Sequence, residues 1–277
     1  MTLRRSLSLL ALALCASALV GCGGDALALD PVAKAASTTA KTQSSRFDFR
    51  ASISAGTVGS FSFHGNGIFD GKNKSGWMNM HFSLPAQAQM QLGSADPSME
   101  MIFDGHHGLI MYMRSPLFDK VVPTGKWVKM DVAKLAKKQG MDLGALMNAN
   151  QADPSQSLRM LMASSGARVT GAERIRGVDT TRYAFNINFK KLAHDNKALR
   201  QLTERAGTVS APAEAWIDRQ GRVRRLSVTM TMGAAQLGTP MTMSITEDLY
   251  DFGERTPIAA PPESLVVDFD SLPGSSS

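Results

Sequence analysis

Trp77-Met78-Asn79-Met80-His81-Phe82-Ser83-Leu84 decides the fold. Met78, Met80, Phe82 and Leu84 take every second position, so an extended chain puts them on one face and Asn79, His81 and Ser83 on the other. That is the pattern of a strand buried on one side, at home in an antiparallel sheet. Just upstream, Asp70-Gly71-Lys72-Asn73 is a hairpin turn, preceded by the alternating Phe61, Phe63, Gly65 and Gly67. Phe47, Phe49, Ala51 and Ile53 repeat the period earlier still. Downstream, Met99, Met101 and Phe103 lead into Asp104-Gly105, and Leu109, Met111 and Met113 leave it. Trp127 to Met130 closes the block, which reads as an antiparallel meander.

Helical signals flank and interrupt this pattern. Asp30-Pro31 is an N-cap followed by proline at the first helical position, and Val32, Ala35, Ala36, Thr39 and Ala40 then recur at helical spacing. These small residues predict a helix lying close on a sheet. Asp131 caps a short helix closed by Gly140. Asp153-Pro154 starts another, with Leu158, Leu161 and Met162 on one side and Gly166 beyond its end. Residues 190–206 carry the clearest helical period, through Leu192, Leu199 and Leu202, with Gly207 as the stop. Strands are expected at 168–175 and 178–187, joined tightly at Arg176-Gly177, and again at 211–218, 222–232 and 241–250. From Pro257 the chain reads as an extended, frayed tail. About ten strands with helices between them make an α+β domain, a strongly curved antiparallel sheet packed on several α-helices.

Composition sets the limits. The chain has 277 residues, 43% of them hydrophobic, enough to bury one substantial core. A net charge of +6 is reduced by two if Arg4 and Arg5 are removed, too little to imply nucleic acid. Two cysteines exclude a disulfide scaffold and a Cys-rich zinc site. Arg4 and Arg5 precede the apolar run from Ser6 to Val20, which is shorter than the ~20 residues of a spanning helix and of signal-peptide size. Leu19-Val20-Gly21-Cys22 then matches a bacterial lipobox, with a plain secretory signal or short membrane helix as the alternative. The expected division is a signal peptide at 1–21, a lipidated tether at 22–29 with diacylglycerol on Cys22, one domain at 30–268 and a flexible tail at 269–277. Such an anchor holds the protein to a cell membrane on its extracytoplasmic face.

Catalytic constellations are lacking. No Gly-x-Ser-x-Gly elbow occurs, and the one cysteine past the leader is the anchor. His64, His81, His106, His107 and His194 are scattered, and Asp218, Glu247, Asp248 and Asp251 fall near turns or strand ends, where acids are normally solvated. No catalytic and no resident metal-ligand residue is expected, and the chain reads as a non-enzyme. Methionine is the unusual feature, with 17 residues and six Met-x-Met pairs. Three readings stand: a plain hydrophobic core, a deformable apolar cavity built from pliable thioethers, or Cu(I) binding through Met78, Met80 and His81 at a rim. Gly65, Gly67, Ala211, Ala213 and Ala215 on the expected inner faces favour an under-filled interior. The residues expected to line it are Phe61, Phe63, Met78, Met80, Met99, Met101, Met111, Met113, Met230, Met232, Met241 and Met243. A lid is expected at 140–150, and Lys190, Lys191, Lys197, Arg200 and Arg205 are candidates for anionic headgroups.

The ordered set Gly125-Lys126-Trp127-Val128-Lys129-Met130-Asp131, Arg176-Gly177-Val178-Asp179-Thr180-Thr181-Arg182-Tyr183, Ala215-Trp216-Ile217-Asp218 with Gly221-Arg222-Val223, and Tyr250-Asp251-Phe252-Gly253 leading to Ile258-Ala259-Ala260-Pro261-Pro262 resembles the LppX/LprG/LprA/LprF group of mycobacterial-type lipoproteins, with the broader LolA-like carrier fold behind it. The resemblance implies an unclosed antiparallel barrel with helices capping an apolar cavity. It implies binding of acyl chains, palmitate among them, from lipids or lipoglycans, their transfer between membrane layers, and a membrane transporter as a further partner. An anchored sensor or interaction domain without cargo is the alternative.

Overall fold

The computed structural model describes residues 30–55, 59–85, 89–90, 97–106, 110–119, 121–138, 161, 164–188, 210–232, 241–254 and 256–272. Alternation turns into strands throughout: β1 (Ser44–Ala55), β2 (Gly59–Asp70), β3 (Ser75–Ser83), β4 (Ser98–Asp104), β5 (Ile110–Arg114) and β6 (Trp127–Asp131), then β7 (Ser164–Ile175), β8 (Val178–Asn188), β9 (Ser210–Asp218), β10 (Val223–Met232), β11 (Met241–Tyr250) and β12 (Val266–Asp268). All twelve form one sheet in the order β12-β6-β5-β4-β3-β2-β1-β11-β10-β9-β8-β7. Only β12 runs parallel to its neighbour; every other pair is antiparallel. The end strands β12 and β7 do not pair, so the sheet stays open.

Local chemistry sets the turns. Asp70 accepts from the Asn73 backbone N–H at 3.0 Å and from its side-chain amide at 2.7 Å, closing the β2–β3 hairpin. Arg176 and Gly177 both take positive φ, 50° and 82°, the combination that a two-residue turn needs to match strand twist.

Helix α1 (Pro31–Ala40) starts as the sequence predicts, the Asp30 carboxylate accepting from the Val32 N–H at 2.9 Å. Val32, Ala35 and Ala36 are fully buried against Ala211, Ala213 and Ala215 of β9, with Phe185, Ile187, Leu226 and Val228 around them. Thr39 adds a buried polar pin, its hydroxyl donating to the Ala35 carbonyl and accepting the Val223 N–H, both at 2.8 Å. Helix α2 (Val132–Lys138) follows β6, and Asp131 accepts the Lys134 N–H at its start.

Three expectations change. The described residues hold two α-helices rather than several, and only α1 lies on the main core; of the expected helix near 154–165, Ser164 and Ser165 lie in β7 and the rest, Leu161 excepted, falls outside the described residues, as does the one at 190–206. Gly166 is not a helix stop. It sits inside β7 at φ 67°, beside a register shift between Ser165 and Arg168, and this bulge hides the first residues of the strand from a period-two reading. The tail is not simply extended: Val266, Val267 and Asp268 pair with Trp127, Val128 and Lys129, and the Lys126 ammonium donates to the Ser264 carbonyl.

Candidate apolar binding face

Register divides the sheet into two chemically distinct faces. Across one row, Leu249, Phe47, Gly67, Met78, Met101, Met113 and Val128 stand opposite one another in succession. Leu226, Glu247, Phe49, Gly65, Met80 and Met99 form the next row, with Glu247 as its acid, and Ile245, Ala51, Phe63 and Phe82 the one after. Offset by one residue, the other face has a polar row, Arg225, Asp248, Asp48, Asn66, Asn79, Glu100 and Arg114, beside a mixed one, Tyr250, Arg46, Ile68, Trp77, Ile102, Tyr112 and Lys129. The first face is the one carrying α1. A one-residue slip would exchange the two sets, so the register is strongly specified.

The expected lining residues fall as follows. Met78 pairs with Met101, Met80 with Met99, Met101 with Met113, and Met111 with Phe103 and Met130, all on the apolar face and half-buried. Met230 pairs with Met243, Met243 with Ile53, and Ile53 with Phe61, which is 37% exposed. Met232 stands opposite Met241 at the end of its ladder. Phe63 joins a run of rings, Phe47, Phe49, Phe63 and Phe82, with successive centroids 6.1, 6.1 and 6.3 Å apart. The sheet therefore gathers two methionine patches, one on β3–β5 and one on β10–β11, with the phenylalanines between. Cys22, the 140–150 lid and the 190–205 cations lie outside the described residues.

The small residues do something other than leave space. A Cβ added at Gly65 would come within 2.8 Å of the Phe49 ring, one at Gly67 within 2.4 Å of Phe47, and one at Gly76 within 2.0 Å of Phe103. Gly76 is thus a notch filled by a ring from the next strand, while at Gly65 and Gly67 the ring shares the space with the Asn79 and Trp77 carbonyl oxygens, 2.1 and 2.5 Å from an added Cβ. Phe69 and Phe103 meet over Gly76, with centroids 5.6 Å apart. The alanines of β9 are likewise filled, by α1. Gaps in side-chain volume along a strand look like voids in sequence; cross-strand partners decide whether they are.

An opening remains where α1 ends. Phe47, Phe69, Phe103, Leu249 and Ala40 line a cleft of about 180 Å3, with Thr39, Thr42, Gln43, Ser44, Ser45 and Glu247 at its edges. That is below the ~300–1,000 Å3 of ordinary small-molecule pockets, so the cleft alone admits a segment of hydrocarbon rather than a whole lipid.

The acids are placed differently from expectation. Asp218 is not solvated: its side chain is 2% exposed. It accepts from the backbone N–H groups of Gln220 and Arg222 and from the guanidiniums of Arg222 and Arg224. Burial works to raise its pKa, but these donors together outweigh it and hold the carboxyl below the usual range. Asp248 is buried too, gripped bidentately by Arg225. Arg222, Arg224 and Arg225 near both acids were the signal that the turn reading passed over. His81 lies on the polar face, away from Met78 and Met80, so the three do not converge on one ion. Among the described residues no three His, Cys, Asp or Glu side chains form a metal-holding group, and no helix is long and apolar enough to cross a membrane.

No family model matches the chain. A curated relative, an uncharacterised 31.2 kDa protein of the rplA–rplJ intergenic region of Streptomyces griseus, is 22% identical over 157 residues, covering 53% of this chain and 49% of the relative. The chain therefore spans about half the length of the curated relative it matches. Among solved structures, LprF from Mycobacterium bovis shares 12% identity at a TM-score of 0.47, over 83% of this chain and 95% of that one. Lipoprotein LppX from Mycobacterium tuberculosis shares 13% at 0.43, over 83% and 100%. A LolA-superfamily protein from Nitrosomonas europaea shares 9% at 0.30, over 82% and 93%. The chain is similar to the LppX/LprG-type lipoproteins. The chemistry rests on the face described above.

Proposed function

We propose that this protein is an extracytoplasmic lipoprotein, anchored through diacylglycerol on Cys22, that binds acyl chains of lipids or lipoglycans on its methionine-rich face and carries them between membrane layers without catalysing a reaction. The observation that carries the reading is the row from Leu249 to Val128, in which seven successive strands present only apolar side chains or a ring-filled glycine to the same side. Half-buried thioethers beside a cleft of aromatic rings suit an unbranched hydrocarbon, because methionine adapts to irregular shapes that branched side chains reject. Burying that hydrocarbon contributes ~25 cal/mol per Å2.

Native mass spectrometry of residues 23–277 purified from a bacterial host tests it. The expected result is additional mass of acyl-lipid size that organic solvent removes, and rebinding of an added fatty-acyl probe. A bare chain that also rejects the probe would sink the carrier and leave an anchored sensor or interaction domain.

A further inference from the structure

Large apolar side chains reach water mainly at one end of the sheet. Strands β2, β4, β6 and β12 begin there, and β1, β3 and β5 end there. Among the described residues five large hydrophobic side chains are exposed, and four of them sit at this end: Phe61 near the start of β2, Met90 between β3 and β4, Val121 between β5 and β6, and Leu265 just before β12. The fifth, Val169, lies within the edge strand β7. We propose that this apolar rim is a docking surface for a lipid bilayer, across which acyl chains pass between the membrane and the methionine-rich face without crossing water.

Single exposed hydrophobics are ordinary, but here they gather at the ends of strands that are consecutive neighbours, from β12 to β2. Met90 is 77% exposed and Val121 52%. The rim is also continuous with the acyl face. Phe61 stands opposite Ile53 on that face, and Met80, Met99 and Met113 lie in the halves of β3, β4 and β5 nearest the rim. Burial runs out in the same direction along β2, from Gly67–Asp70, which are buried, to Ser60 and Phe61, which are exposed.

The opposite end is built differently. Its turns expose Lys72, Lys74, Arg219, Asp251 and Glu254, and none of the five exposed hydrophobics is there. At the rim, Asp119 and Glu263 are exposed, Lys126 donates to the Ser264 carbonyl and Arg114 pairs with Glu100. The described residues of the rim therefore carry no excess positive charge, and docking depends on apolar burial rather than on attraction to anionic headgroups. The choice of a bilayer as occupant rests on the acyl-carrier reading. The diacylglycerol proposed on Cys22 would hold Asp30, eight positions later, within about 28 Å of such a surface.

The mature chain from Gly23, made without its diacylglycerol, has no cysteine and keeps every described element. Mixed with phosphatidylcholine vesicles, it should float with them, and high salt should not release it. Met90→Gln, Val121→Thr and Leu265→Gln together should weaken this partitioning by more than about tenfold. Binding of a fatty-acyl probe in vesicle-free solution should stay unchanged in that triple variant, because none of the three residues lies on the methionine face. A polarity-sensitive dye attached through Val121→Cys should report transfer out of water when vesicles are added, and the same dye attached through Lys72→Cys should not. The proposal is overturned by absence of flotation, by flotation with anionic vesicles alone and only at low salt, by equal flotation of the triple variant, or by lipid-free self-association that the triple variant abolishes. Failure of the parent chain to bind the acyl probe, with flotation intact, would sink the carrier and leave the docking surface standing.

Discussion

The sheet has two apolar regions built on opposite plans. Under α1, strand β9 presents Ala211, Ala213 and Ala215, and the helix answers with Val32, Ala35 and Ala36. Small meets small, backbones approach, and the layer is solid. On β3–β5 the same face presents Met78, Met80, Met99, Met101, Met111 and Met113, long flexible side chains that stay half-buried. The first region is a core in which volume is fixed by neighbours. In the second, the side chains can still move to accept something else.

The largest expected contrast comes from truncating one residue in each. Ile187 is fully buried beneath α1, so Ile187→Ala should cost about 2–5 kcal/mol in denaturant unfolding. Met101→Ala removes a comparable side chain from a half-buried place and should cost less than half as much. Equal losses would mean the two regions are one continuous core.

A charged clasp closes the β9–β10 turn at the edge of the solid region. Asp218→Asn keeps the shape but weakens the bonds from Arg222 and Arg224, and should cost about 1–3 kcal/mol at neutral pH. Its folded-state pKa is depressed, so its contribution is present above the unfolded value near 3.9 and is lost as pH falls through that value toward the folded one. The acid limb of a stability–pH profile should therefore flatten in the variant. An unchanged limb would show that the guanidiniums do not favour the ionised form.

This contrast was partly legible before any coordinates. Period-two alternation placed eleven of the strands and assigned Met78, Met80 and Phe82 to one side, because register converts alternation directly into faces. Asp30-Pro31 announced α1 for the same local reason. What stayed hidden was everything set by a partner distant in the chain. Val266–Asp268 is too short to show a period, and it pairs with β6 from across more than a hundred residues. Gly65 and Gly67 read as gaps because the phenylalanines packed over them belong to another strand. Asp218 is the exception, read as solvated although Arg222 and Arg224, the arginines that bury it, follow within the same turn. The bulge at Gly166 concealed the start of β7 by breaking the very period that betrays a strand.

The ring-filled notches sharpen the boundary between the regions. All three closest atoms to a Cβ at Gly76 belong to the Phe103 ring, so Gly76→Ala should destabilise chiefly by expelling that ring. In combination with Phe103→Leu the loss should shrink, giving a coupling of about 0.5–3 kcal/mol in a double-mutant cycle. Additive losses would mean the alanine strains the backbone instead, and the aromatic filling of the cleft floor would be incidental.

The smallest effect on stability carries the most information about function. Replacing Met78, Met101 and Met113 by leucine conserves volume and should cost under about 1.5 kcal/mol at each position. If these thioethers are merely core, acyl-probe binding should be indifferent to the exchange. If they form a face that remoulds around cargo, branched leucines with fewer rotamers should narrow the range of chains accepted while affinity for the best-fitting chain persists. Displacement of a fluorescent fatty acid by saturated, unsaturated and branched competitors reads that range directly. A variant as tolerant as the parent would assign the methionines to packing, because only a surface that must change shape depends on unbranched side chains.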